Sequence, residues 1–147
     1  MKYIFHLVLA SFLVLSSCSK DNDTLVNKDF TSNDFPQTWK LIKMTGSVQG
    51  FESEGEDMDW QENYLFRSDG TFLKTRITEG ESESASGSFI FDSQNQNFLL
   101  SYNQVNNITG SCSSDAKEHL YFPQNSLILL SNWWACDGPG LFYERIK

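Results

Sequence analysis

The sequence predicts an all-β domain. Three observations carry that reading. Helical periodicity is nearly absent past residue 35, short alternating or apolar runs recur through the rest of the chain, and turn-forming residues separate them. Up to nine runs qualify as strands: 38–44, 62–67, 71–78, 86–91, 97–102, 108–112, 118–122, 127–131 and 141–146. So many antiparallel strands must hide their edges, by closing into an up-and-down barrel or by packing as a β-sandwich. The spacing of the runs does not choose between the two.

The elements follow in order. Thr38-Trp39-Lys40-Leu41 alternates polar and apolar residues and opens the first run. The second and third flank Ser68-Asp69-Gly70. Asp caps its own backbone there and Gly accepts positive φ, which predicts a tight hairpin. Polar residues 92–96 turn the chain between the fourth run and the fifth. The runs 108–112 and 118–122 come next, the latter holding His119. Residues 123–126 make another turn, and Asp137-Gly138-Pro139-Gly140 leads into the last run.

The length of 147 residues suits one domain. At the N-terminus, Lys2 precedes an apolar run of 13 residues from Tyr3 to Leu15. A helix needs about 20 residues to cross a bilayer, so the run predicts a targeting segment and not a membrane anchor. Leu15-Ser16-Ser17-Cys18 resembles the bacterial lipobox, in which a peptidase cuts before a cysteine that then carries lipid. That resemblance implies a signal peptide over 1–17, an acylated, palmitate-bearing Cys18, and an outer-membrane lipoprotein, because more than one acyl chain anchors stably. Ser19-Lys20-Asp21-Asn22-Asp23 is similar to the acidic export signal of surface lipoproteins in the Bacteroidetes. A surface-exposed and a periplasm-facing position both stand. Residues 18–35 read as the acylated cysteine and a flexible tether, and 36–147 as the domain.

The formal net charge is -8, from 11 Lys+Arg against 19 Asp+Glu. An acidic chain lacks the basic footprint that nucleic acid demands, so nucleic acid is excluded as a partner. Cys112 and Cys136 remain after processing. An even pair in an oxidising compartment predicts a disulfide. His119 is alone in the mature chain, which rules out a His-rich zinc site, and no phosphate loop, nucleophile elbow or His-Glu-x-x-His run is present. The expectation is a protein that is not an enzyme and needs no cofactor.

Three segments resemble the lipocalin-like domain of small Bacteroidetes lipoproteins. They are Thr38-Trp39-Lys40-Leu41, the stretch Tyr64-Leu65-Phe66-Arg67-Ser68-Asp69-Gly70-Thr71-Phe72, and the end of the chain from Trp134 to Ile146. The wider lipocalin pattern has Gly-x-Trp at the start, where this chain has Gln37-Thr38-Trp39. The resemblance implies a lipocalin-like, calycin-like barrel of about eight short strands, with a small apolar or amphipathic ligand inside. It also implies barrel closure by Arg145 stacked on Trp39. Interior candidates are Trp39, Leu41, Leu65, Leu73, Ile77, Phe89, Phe91, Phe98, Leu100, Tyr102, Phe122, Leu127 and Leu129. These aromatics can also fill a barrel of this size. The competing expectation is therefore a filled barrel whose surface contacts envelope proteins or glycans, an inhibitor being one such case.

Two features bear on that surface. Glu52, Glu54, Glu56, Asp57, Asp59 and Glu62 crowd one segment, and Glu79, Glu81 and Glu83 another. On a meander both would be loops on one rim, with Glu54, Glu56 and Asp57 as weak metal candidates, against the plainer reading of solvated loops. Trp133 and Trp134 are adjacent, and adjacent strand residues face opposite ways. Trp134 is expected over the disulfide, leaving Trp133 and Trp60 as surface contact candidates.

Overall fold

The structure is a computed structural model that describes residues 34–46 and 50–147. The predicted signal peptide, Cys18 and all but the end of the tether lie outside the described residues. The architecture is a closed antiparallel barrel. Strands β1 (Gln37–Thr45), β3 (Gln61–Phe66), β4 (Thr71–Thr78), β5 (Glu81–Asp92), β6 (Asn97–Tyr102), β7 (Lys117–Tyr121), β8 (Leu129–Ser131) and β9 (Gly140–Arg145) form an eight-member ring. Strand β2 (Glu52–Glu54) pairs only with the end of β1. Pairing of β1 with β9, from Trp39 opposite Arg145 to Thr45 opposite Gly140, closes the ring and removes the edges that a sandwich would leave.

Local chemistry sets the turns. The Asp69 carboxylate accepts from the Thr71 backbone N–H at 3.0 Å and from its hydroxyl at 2.6 Å, and Gly70 takes φ +78. The Thr71 side chain and backbone pull the Asp69 carboxyl below its usual range. At the next hairpin Glu79 and Gly80 both have positive φ, +52 and +87, as a two-residue type I′ loop requires. Segment 79–83 is thus a hairpin tip and the start of β5, not a loop. On β1 the register slips between Leu41 and Lys43, with Ile42 as the extra residue. That bulge moves the buried positions from Gln37, Trp39 and Leu41 to Met44.

Segment 108–112, expected as a strand, is none. The Asn106 side chain accepts from the Ile108 N–H at 3.0 Å and the Thr109 hydroxyl at 3.0 Å, a local turn that competes with ladder pairing.

The inward face differs from expectation on two strands. Phe72 and Lys74 are buried on β4, and Glu62, Tyr64 and Phe66 on β3. Leu65, Leu73 and Ile77 are on the other face, and Ile77 is 41% exposed. A side-chain period of two allows only one of these sets inside. Leu41, Phe98, Leu100, Tyr102 and Leu129 are buried in the core, with Phe89, Phe91 and Phe122 against it.

Candidate functional site

Alternation on five strands aims polar side chains into the barrel together with the aromatics. Glu62 (β3), Lys74 (β4) and Glu118 (β7) have fully buried side chains, and Arg76 (β4) reaches in from the rim. The Lys74 ammonium is 3.1 Å from Glu62 Oε1 and 3.1 Å from Glu118 Oε1. Arg76 Nε donates to Glu62 Oε2 at 2.6 Å. Two acids and two bases therefore balance inside a low-dielectric space.

Three tyrosines complete the acceptors. Tyr143 (β9) donates to Glu62 at 2.5 Å, Tyr64 (β3) donates to Glu118 at 2.8 Å, and Tyr102 (β6) donates to the other Glu118 oxygen. Strands β3 and β7 are four steps apart in either direction round the ring. The Tyr64–Glu118 bond therefore spans the full width of the barrel, and at its level the lumen is occupied by side chains. Burial first, then the nearby carboxylates, raises all three hydroxyls above the usual tyrosine range. Burial works against the Arg76 charge, but Glu62 outweighs it and the guanidinium is held more firmly protonated than usual.

Below this layer lies an aromatic one. Phe66 contacts Phe89 edge-on at 5.0 Å and Phe98 at 5.6 Å, and Trp39 meets Phe122 at 5.4 Å. Two buried donors have no partner among the described residues, Gln37 Nε2 and Trp60 Nε1.

The remaining predicted positions fall as follows. Trp39 and Arg145 are register partners across the closure. The Arg145 guanidinium donates to the Asp34 carbonyl at 3.2 Å and pairs with its carboxylate at 3.3 Å. Gln37, standing where the lipocalin pattern has glycine, accepts the Trp39 indole N–H at 3.3 Å. A cation–tryptophan stack forms elsewhere: Arg76 lies 4.2 Å from the Trp60 ring, so Trp60 is half-buried against the core and not a free surface contact.

A disulfide joins Cys112 and Cys136. The tryptophan pair lies on a 3₁₀ turn, Trp133–Cys136, where neighbours are not on opposite faces. Trp133 packs against the core and Trp134 is 54% exposed, the reverse of the expected roles. The acidic segments do share one end of the barrel, since Gln61 is opposite Ile77 and Thr78 opposite Glu81. Glu54, Glu56 and Asp57 are exposed there, Glu62 has left the set for the core, and no group of three His, Cys, Asp or Glu able to hold a metal ion is found among the described residues.

Sequence reasoning missed the interior network. Its signal was present: charged residues at the same alternate positions as the aromatics, Glu62 with Tyr64 and Phe66, Lys74 with Phe72.

The fold and its interior define an eight-stranded closed β-barrel of lipocalin-like, calycin-like architecture. No family model matches the chain, and no curated protein does. Among solved structures it is similar to a DUF4847 family protein from Bacteroides vulgatus ATCC 8482, at 13% identity and a TM-score of 0.41, over 73% of this chain and 90% of that one.

Proposed function

We propose that the protein is a lipid-anchored envelope protein acting as a non-catalytic binding module. Its barrel is a filled scaffold, and its partners meet the outer wall and rims. The observation that carries this reading is the Tyr64–Glu118 hydrogen bond of 2.8 Å between opposite strands. An apolar ligand on the barrel axis would have to break it and strand buried charges, at a cost of several kcal/mol. The predicted lipobox at Cys18 supports placement at the outer membrane.

Two experiments test this. Titration of the mature protein with a fluorescent polyene fatty acid is expected to give no saturable uptake. One-to-one uptake displaced by unlabelled fatty acid would restore the internal-ligand reading. Cys18→Ala is expected to abolish palmitate labelling and membrane retention on fractionation. Unchanged labelling would remove the anchor.

A further inference from the structure

The outer wall carries a groove of about 360 Å³ where β1, β9, β8 and β7 pass beneath the Trp133–Cys136 turn. Its floor follows from the registers. Tyr121 is opposite Leu130, and Leu130 is opposite Phe142, so three outward side chains from three strands make one apolar row. Next in that row is Lys43, whose ammonium lies 5.3 Å from the Phe142 ring and 2.8 Å from Glu52.

Trp134 forms the side wall, and its exposure has a structural cause. The turn that bears it is fastened at both ends, by Trp133 packed against the core and by Cys136 in the disulfide. Gly138 lets the chain close over Trp133, since a Cβ there would fall 2.4 Å from the indole. Held this way, Trp134 presents an indole to the groove that is already ordered, so little conformational freedom is lost on binding. Asp137, at φ +68, and Thr45 are polar residues of the lining.

We propose that this groove binds a neutral sugar ring, as one residue of a glycan. A pyranose has an apolar C–H face that suits an aromatic wall and hydroxyls that suit carboxylate and hydroxyl partners. The net charge of -8 and Asp137 disfavour an acidic sugar. An ammonium ligand fits less well, because Lys43 already supplies the Phe142 ring with a cation. The proposal rests on the outer-face reading given above. Fatty acid uptake together with Trp134-dependent glycan binding would sink that reading and leave this one standing.

The test is a printed array of neutral, uronate-bearing and sialate-bearing oligosaccharides, probed with the mature protein and with Trp134→Ala. Trp134 is exposed, so the variant is expected to keep the native circular dichroism spectrum and the disulfide. Binding to neutral glycans that falls at least about tenfold in Trp134→Ala, and less in Asp137→Asn, supports the proposal. Three outcomes overturn it: no glycan retained above the variant's background, a preference for acidic glycans, or binding that both variants leave unchanged. Saturable quenching of indole fluorescence by tetramethylammonium, lost in Trp134→Ala with no glycan bound, would also overturn it.

Discussion

Tyr64 on β3 donates a 2.8 Å hydrogen bond to Glu118 on β7, the strand directly across the barrel, so a single side-chain pair bridges wall to wall. Glu118 also accepts from Tyr102 and pairs with Lys74. Tyr64→Phe removes one donor to a charged acceptor and is expected to cost about 1.5–3 kcal/mol in urea unfolding. Glu118→Leu is expected to cost about 3–5 kcal/mol, because Lys74 loses a partner in a dry site. Combined with Lys74→Met, the loss should fall well short of the sum of the singles. Additive, small losses would show that the network is not a unit.

The faces of β3 and β4 give a second prediction. Phe72 is fully buried and Leu73 is on the outer wall. Phe72→Ala is expected to cost about 3–5 kcal/mol, and Leu73→Thr less than about 1 kcal/mol. The reverse order in chemical denaturation would put the sequence-based face assignment back in force.

That pair also marks the limit of sequence reading. The all-β class, eight of the nine runs and the turns at 68–70 and 137–140 were legible, because turn chemistry and alternation are local, whereas ring closure is a pairing of distant strands that only the family resemblance implied. The face of β4 was not. Thr71-Phe72-Leu73-Lys74 puts an apolar residue on both faces, and hydrophobicity favours burying Leu73 over Lys74. What reverses the choice is Glu118, which is 44 residues away and supplies the Lys74 counter-charge. A long-range partner was equally out of reach at the barrel closure between Trp39 and Arg145. Register placed the pair, but Asp34, 111 residues from Arg145, takes the guanidinium.

The disulfide supplies a third prediction. Cys112 and Cys136 are 24 residues apart in sequence, and their link ties the 108–112 turn to the Trp133–Cys136 turn. Replacing both by serine is expected to lower stability by about 3 kcal/mol on the chain-entropy account. Dithiothreitol should lower the urea midpoint of the native protein to that of the variant, since both cysteines are exposed. Equal midpoints for oxidised protein and variant would show that the link contributes nothing to the fold.

The buried tyrosines predict how stability responds to alkali. In the folded chain Tyr64, Tyr102 and Tyr143 all have hydroxyls raised above the usual range, by burial first and by Glu118 or Glu62 next. Unfolding exposes them to water, where a tyrosine titrates near pH 10 or so. A group whose folded value is raised keeps its full stabilising contribution below the unfolded value and loses it as pH rises beyond. Stability should therefore be flat in this respect below about pH 10 and then fall, because the unfolded chain releases protons that the folded chain retains. Each group adds about 1.4 kcal/mol per pH unit, so the three together give a slope of about 4 kcal/mol per pH unit. Tyr143→Phe should reduce the slope by about 1.4 kcal/mol per pH unit, beyond the stability it costs at neutral pH. The measurement is urea unfolding across a series of alkaline buffers, with tyrosinate absorbance followed beside the far-ultraviolet circular dichroism. The tyrosinate signal of the buried set should appear only as the sheet signal is lost. Full ionisation of every tyrosine with the sheet intact would mean that water and hydroxide reach the barrel interior, and the side-chain bridge from Tyr64 to Glu118 would not be the barrier that the filled scaffold requires.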